Sequence, residues 1–574
     1  MLHVKGESVK MRAYRIVILC YVSVISSLVI AQPEQYKTLT LNERQVCDVE
    51  LLLNGGFEPL QGFMGQRDYN SVVEHMRLAD NTVWPIPIVL DIKSELAASL
   101  QVGSLLKLYD RDTTALAILT VSDIWKPNKQ KEAELVYGTT NTEHPGVKYL
   151  LQQTQEYYIG GTLKALELPA HYDFTQLRKT PAELKAYFKQ QGYDKIVAFQ
   201  TRNPMHRAHV ELTRRAGREL GAHILIHPAV GPTKPDDIDY FTRVRGYKKL
   251  LSYYPENAVT LSLLPLAMHM AGPREALLHA IIRKNYGCTH FVVGRDHAGP
   301  GKDSTGKDFY GPYQAQELVA QYAQEIGITP VFFKEMLYLP DEDVYKPADQ
   351  IEPGVKVWSL SGTQLRNLLR TGGEIPSWFS YPEIVRELHK SYPSRAKQGL
   401  TIFLTGLSGS GKSTLANALA LALRELQYKS ISLLDGDELR AHLTSELGFS
   451  KEHRSLNVRR TGFVAREITK SKGIAICSLI APYQQDRAYN RTMIESVGNY
   501  IEVFISTPLQ ICEERDVKGL YAKARAGIIP QFTGINDPYE QPVNPELTID
   551  TSKLTIQEAL DSILSYLKQE QYIL

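Results

Sequence analysis

The segment Gly406-Leu407-Ser408-Gly409-Ser410-Gly411-Lys412-Ser413-Thr414 satisfies the pattern G-x-x-x-x-G-K-[ST] at every required position. Glycines at that spacing let backbone N–H groups close around phosphate oxygens, and a helix N-terminus just beyond adds positive potential. Lys412 would reach the β- and γ-phosphates of a nucleotide, and the Ser413 hydroxyl would hold Mg²⁺. The bland alternative is a Gly/Ser-rich turn capping a helix. The context favours phosphate: Leu400 to Thr405 is a short apolar, β-branched run that predicts a buried strand, and the run from Leu415 is rich in helix formers.

A second cluster, Gln200-Thr201-Arg202-Asn203-Pro204-Met205-His206-Arg207-Ala208-His209, follows the strand-like Lys195 to Phe199. With Pro204 in the first helical turn, where its fixed φ is tolerated, His206 and His209 fall three apart on one helical face. Two imidazoles there, with the helix dipole and Arg202 beside them, make a compact anion site. A His pair at this spacing also serves structure or metal binding. Here no third carboxylate or Cys follows at metal spacing, and the adjacent arginine opposes a bound cation. A third cluster, Gly294-Arg295-Asp296-His297-Ala298-Gly299-Pro300-Gly301, follows the apolar Phe291-Val292-Val293. A strand ending in a glycine loop is where an open α/β sheet places ligands, although an ordinary polar loop reads the same way.

These clusters need elements to hold them. Strands alternate with helices from about 190 to 335, which predicts a parallel doubly wound sheet; Met270-Ala271-Gly272-Pro273-Arg274-Glu275 opens one of its helices with an early proline and a first-turn acid. From Thr38 to about Leu166 the text is turn-rich with short alternating runs, such as WPIPIVLD at 84–91 and SLLKLY at 104–109, a β-rich module. Asn54 to Met64 carries three glycines and a proline and reads as a structural loop. Ser391-Tyr392-Pro393-Ser394 is a boundary ahead of the phosphate-loop domain. The expected limits are 1–35 for an apolar N-terminal extension, 36–175 for the β-rich module, 176–392 for the doubly wound domain with a small C-terminal subdomain, and 393–574 for the phosphate-loop domain.

A length of 574 residues suits about three or four domains, and a net charge of +2 with 22% charged residues asks for neither nucleic acid nor an anionic membrane. Cys20, Cys47, Cys288, Cys477 and Cys512 are widely spaced and form no C-x-x-C pair, which fits a reducing compartment. The N-terminus pulls the other way. Lys5, Lys10, Arg12 and Arg15 precede an uncharged apolar run from Ile16 to Ala31, and Val29-Ile30-Ala31 resembles a cleavage site. Export would separate an ATP-consuming protein from its ATP, so an upstream start or an unexported extension is expected instead, with a cytoplasmic location and no functional membrane association.

The string QTRNPMHRAH, with MAGPREA, VGRDHAGPG and Ser361-Gly362-Thr363-Gln364-Leu365-Arg366, resembles ATP sulfurylase from about Leu41 to Arg386. Tyr137-Gly138-Thr139-Thr140 and His144-Pro145-Gly146 match that family's N-terminal module, which implies a β-rich, PUA-like fold. The resemblance implies that sulfate attacks the α-phosphorus of MgATP, giving adenosine 5′-phosphosulfate (APS) and pyrophosphate. Arg202 and Arg295 then hold sulfate, helped by Gln200 and the Ala298 backbone. His206 and His209 hold the ATP phosphates, and Thr201 and Asn203 line the reacting centre. Gly294, Asp296 and His297 belong to the same binding loop, and the adenine pocket is closed by that loop and the segment near Met336. The apolar N-terminal run departs from the family's short Pro/Gly lead-in.

Residues from about 395 to 574 resemble APS kinase, which phosphorylates the 3′-hydroxyl of APS to give 3′-phosphoadenosine 5′-phosphosulfate (PAPS). The matching residues are Asp435-Gly436-Asp437 with Arg440, Leu447-Gly448-Phe449-Ser450 with Arg454 and Asn457, DVKGLY at 516–521 and FTGINDPYE at 532–540. Arg440, Arg454 and Asn457 would bind APS together with Ile480, Ala481 and Lys518. Phe449 would stack on its adenine, Asp437 would orient the hydroxyl or accept its proton, and Lys518 would lie on a lid. His453 stands where an acid is common, and Ala481 replaces a serine that some relatives phosphorylate, which closes that covalent route. The expected protein is a bifunctional homo-oligomer acting on ATP, sulfate and APS with Mg²⁺. Two alternatives stay open. One is a sulfurylase whose kinase-like tail only senses PAPS, although such tails carry a degraded phosphate loop. The other is a nucleotide- or RNA-binding protein, which the absence of a basic excess disfavours.

Overall fold

The computed structural model describes residues 36–573 apart from 235, 236 and 429; the apolar run at 16–31 lies outside the described residues. The chain divides into two compact units, one ending at Ser359 and one beginning at Leu360.

The first unit opens with a sheet in the order 37–40, 105–109, 115–125, 157–165, 62–63, with 90–92 also paired to 157–165. Leu105–Tyr109 alternates between half-buried and buried side chains, as a strand of period two with one face on a core requires. WPIPIVLD contributes only Leu90 and Asp91, the start of the strand Leu90–Ile92, because Pro85 and Pro87 have no N–H to give a ladder. The module also carries helices that the sequence reading passed over, among them Glu43–Leu53, Gln66–His75 and Lys129–Tyr137. They are short, and turn-type residues close around them. The loop at 54–64 is structural: Phe57 is fully buried, and Asn285 Nδ2 donates to the carbonyls of Gly56 at 3.1 Å and Glu58 at 2.8 Å.

Next comes a five-stranded, wholly parallel sheet in the order 329–332, 290–293, 196–199, 223–226, 259–261. Ile196–Phe199 and His223–Ile226 are buried throughout, which is why both read as unbroken apolar runs. The chain winds outward from 196–199 in one direction, then returns to place 290–293 on its other side. The order therefore reverses between those two strands, where a doubly wound sheet opens a crevice at its carboxyl edge. Helix Gly272–Asn285 lies almost wholly buried against this sheet. Its polar residues Glu275, His279 and Arg283 recur every four positions and so share one face.

The second unit is built on a parallel sheet in the order 431–435, 474–478, 400–406, 499–505, 547–549. Every residue of its central strand Leu400–Gly406 is buried. Helix Lys412–Glu425 starts three residues earlier than the helix formers alone suggest and packs Leu415, Leu419 and Leu423 into the core with Ile402 and Leu404. Each such side chain contributes roughly 1.5–3 kcal/mol of burial, so the loop between strand and helix is fixed at both ends.

Candidate functional site

In the first unit, the loops leaving Ile196–Phe199 and His290–Val293 meet at the crevice. Thr201 Oγ1 accepts from the Asn203 amide at 3.0 Å and donates back to the Asn203 carbonyl at 3.1 Å, and Tyr247 donates to that carbonyl at 2.6 Å. Arg202 Nη2 donates to the Gly299 carbonyl at 3.0 Å, which ties the two loops together. Its Nη1 is paired with Asp237, whose side chain is nearly buried. Arg295 is exposed and lies 4.0 Å from Glu335. Asp296 and Ala298 both adopt positive φ, 49° and 57°, so this short loop is held in a strained shape. His297 is buried with Nε2 3.0 Å from His279 Nδ1. Met336 opens the hairpin Met336–Leu339 and Val344–Pro347 and is half-buried.

The helix that carries the histidine pair begins later than expected. It spans Arg207–Leu220, so Pro204 precedes it and His206 is its N-cap rather than a residue of its first turn. The pair survives the correction, because His209 is at the third helical position and the two rings lie 6.1 Å apart. His209 Nδ1 accepts from the His206 amide at 3.1 Å. Burial lowers the His206 pKa to about 3, with His209 adding to it, and burial alone lowers His209 to about 4. Both rings are neutral at ordinary pH. Since the Nδ1 of His209 is an acceptor, its proton resides on Nε2, leaving one N–H for a ligand.

Lys234 and Asp237 were missed in the sequence. They sit on the Gly/Pro-rich stretch from Gly231, which follows the neighbouring strand His223–Ile226. Asp296 feels the charges of Arg202, Arg295 and Lys234 together. The signal was positional: a loop after an adjacent strand of the same parallel sheet opens on the same edge.

The first unit holds an unusual set of buried neutral histidines. His144, His206, His209, His227, His269, His279 and His297 all have pKa values lowered mainly by burial, to about 4, 3, 4 and 3 for His144, His206, His209 and His269 and well below 6.5 for the others. A group whose pKa is depressed by folding adds stability that is present above its unfolded pKa and is lost as pH falls. Unfolding here therefore takes up protons below pH 6.5, at about 1.4 kcal/mol per pH unit per group. Asp48 and Glu132, raised by burial to about 7, and Asp296, also raised by burial, act in the opposite sense, but they are three against seven. The unfolding transition of this unit, followed by calorimetry, is expected to drop steeply between pH 7 and pH 5, much faster than that of the second unit. Parallel behaviour of the two transitions would contradict it.

In the second unit a cleft of about 800 Å³ is lined by the phosphate loop and by residues from six other segments. Gly409 and Gly411 have φ of 72° and 96°, conformations that favour glycine. The carbonyls from Leu407 to Ser410 are each taken: by Lys412 Nζ at 2.7 Å, Tyr521 Oη at 2.9 Å, Arg515 at 3.4 Å, and Thr551 Oγ1 at 2.9 Å in turn. The polarity the loop can offer a ligand is therefore that of its N–H groups. Ser408, Thr414, Lys412 and Ser413 line the cleft, whereas Gly406, Leu407 and Ser410 support the loop from behind.

Ser413 Oγ donates to Asp435 Oδ2 at 2.6 Å. Asp435 ends the strand Ile431–Asp435 and caps the next helix by accepting from the Asp437 amide at 3.0 Å. The sequence alone gives Asp435 no task; its position at a strand end facing Ser413 supplies one. Asp437 is ion-paired with Lys518 across the cleft. Arg440 donates to the carbonyls of Leu447 and Gly448, both at 3.2 Å, and its guanidinium lies 4.4 Å from the centre of the exposed Phe449 ring. Arg454 holds Thr533 at 2.8 Å and Asp537 at 2.8 Å. Asn457 accepts from Thr444 at 2.7 Å, so its amide nitrogen is the group left for a ligand. His453 Nδ1 accepts from the Gly448 amide at 2.9 Å and thereby pins the loop that carries Phe449. Ile480 and Ala481 complete the wall, Ala481 at a φ of 45°.

Burial lowers the Lys412 pKa to about 8. Bound phosphates favour the charged ammonium, so the complex holds a proton that the free site gives up above pH 8. The KM for ATP in APS phosphorylation is expected to rise by up to about tenfold per pH unit above 8. An unchanged KM between pH 7.5 and 9.5 would contradict this.

As a class, a doubly wound domain with a cationic switch-point crevice and a phosphate-loop domain in one chain define a nucleotide-dependent transferase. Comparison with known proteins narrows the class. Family models match as a PUA-like domain over residues 15–168, ATP-sulfurylase over 175–391 and adenylylsulphate kinase over 398–550. The sulfate adenylyltransferase of Coccidioides immitis is 53% identical over 546 residues, covering 95% of each chain. That of Mycosarcoma maydis is 51% identical over 541 residues, covering 93% of this chain and 94% of the other. The solved structure described as a hexameric APS kinase from Thiobacillus denitrificans aligns with a TM-score of 0.77 at 37% identity over 94% of both chains. The chain belongs to the sulfate adenylyltransferase family and carries ATP-sulfurylase and APS kinase domains in one polypeptide.

Proposed function

We propose that the protein activates sulfate in two steps, ATP and sulfate to APS and pyrophosphate, then APS and a second ATP to PAPS and ADP. In the first step a sulfate oxygen attacks the α-phosphorus and the bond to the pyrophosphate oxygen breaks. Gln200, Arg202, Arg295 and the Ala298 amide hold the sulfate; His206 and His209, as neutral N–H donors, hold the leaving phosphates; Thr201 and Asn203 line the centre. No proton-transfer base is needed, because sulfate arrives ionised. In the second step Lys412 and the loop amides cradle the ATP phosphates, Arg440, Arg454 and Asn457 hold APS beside Phe449, and Asp437 orients the 3′-hydroxyl. Lys518, now on Asp437, exchanges that partner for phosphate.

Ser413 and Asp435, two hard oxygen donors 2.6 Å apart at the loop, suit Mg²⁺ carried in with ATP. When bound, the ion neutralises charge on the transferred phosphoryl group. A homo-oligomer is supported by the relative described as hexameric. Dependence on ATP favours the cytoplasm, and among the described residues no helix is long and apolar enough to cross a membrane.

The single observation that favours a working kinase over a PAPS sensor is the complete phosphate loop, with Lys412 and Ser413 in place and Asp435 facing Ser413. The test is to supply APS and ATP directly. Steady PAPS formation is expected; no PAPS, together with a sulfurylase rate that falls when PAPS is added, would establish the sensor.

A further inference from the structure

Arg283 lies on the polar face of helix Gly272–Asn285 and is fully buried. Among the described residues no carboxylate comes within 4.0 Å of it, and its Nε and Nη1 have no hydrogen-bond partner. Its Nη2 donates to the side-chain oxygen of Gln200 and, at 2.9 Å, to the His227 carbonyl. The guanidinium also lies 5.7 Å from the centre of the Phe291 ring, on the strand that leads into the Arg295 loop. A cation taken out of water without a counter-ion is costly to the fold, so its retention calls for a use.

We infer that Arg283 is a positioning residue for sulfate, acting through Gln200. This rests on the reading of Gln200 as a sulfate ligand. A sulfate dianion only accepts hydrogen bonds, so a glutamine that holds it must present its NH₂ and turn its oxygen away. Arg283 has only donors, so whichever Gln200 atom it touches has to be the oxygen. The contact therefore fixes the amide in the one orientation that serves sulfate. Nε2 is left with nothing better than Met268 Sδ at 3.8 Å, a weak acceptor. Arg283 thus belongs to sulfate recognition without touching sulfate, and ATP recognition does not involve it.

The test uses the full-length protein and three variants, Gln200→Ala, Arg283→Met and the double variant, with KM for sulfate and for ATP measured separately. The calorimetric unfolding transition of the first unit, which holds both residues, serves as the control on folding. Either single change is expected to raise the sulfate KM by about 10- to 100-fold and to leave the ATP KM nearly unmoved. The double variant should be no worse than the poorer single one, because Arg283 acts through Gln200. Additive effects, or equal effects on sulfate and ATP, would overturn the inference. So would a normal sulfate KM in Arg283→Met while Gln200→Ala is impaired. A normal sulfate KM in Gln200→Ala would remove the ligand reading itself. If Arg283→Met does not fold, Arg283→Gln offers Gln200 an acceptor as well as a donor, so the amide is no longer held in one orientation; its sulfate KM should still rise, and an unchanged value overturns the proposal.

Discussion

Lys412→Ala is expected to abolish PAPS formation while leaving APS and pyrophosphate production from sulfate intact. Among the described residues the ammonium is the buried cation at the phosphate loop, and its present bond to the Leu407 carbonyl at 2.7 Å is one it can give up for a phosphate oxygen. Losing one preorganised donor to developing negative charge costs about 10² to 10³ in rate, and Lys412 also contributes a full charge. The fall should be at least that large. The first unit has its own core and its own crevice, so its rate should stay within about twofold, as for well-separated sites. Supplying APS directly measures one half, and pyrophosphate release from sulfate measures the other.

Arg202→Ala should have the opposite pattern. Pyrophosphate release that depends on sulfate should fall by about 10² to 10³, and PAPS made from sulfate should fall with it, whereas PAPS made from supplied APS should not. Stability needs separate control, since removing Arg202 leaves the nearly buried Asp237 without its partner. Breaking such a pair from one side costs up to about 3–5 kcal/mol. Adding Asp237→Asn removes the orphaned charge, so the double variant should regain thermal stability without regaining sulfate turnover. If Arg202→Ala alone releases pyrophosphate at the normal rate, Arg202 is not part of the sulfate site.

The phosphate loop was legible from the sequence because the chain states it locally: an unbroken apolar strand, glycines where positive φ is needed, and a helix on Lys412. The doubly wound sheet was legible for the same reason, since strands buried on both faces read as apolar runs. What escaped depends on tertiary placement. Nothing near Pro204 says that the helix waits until Arg207; the turn from Thr201 to Asn203, held by Tyr247, decides that. Asp237 is thirty-five positions from Arg202 and meets it only because two strands are neighbours. Glu275, His279 and Arg283 did carry a signal, polar residues at four-residue spacing on an otherwise apolar helix, but its meaning depends on which loops that face meets. The short helices of the N-terminal module were hidden by the turn residues that end them.

The most direct test of the two-step account is to incubate the full-length protein with MgATP, radiolabelled sulfate and pyrophosphatase and separate the labelled products. Making APS is unfavourable, so removing pyrophosphate and consuming APS should both draw label forward, and the account predicts that it accumulates in PAPS. Label confined to APS, with no conversion when APS and ATP are supplied together, would contradict it and make the second unit a binding domain despite its complete phosphate loop.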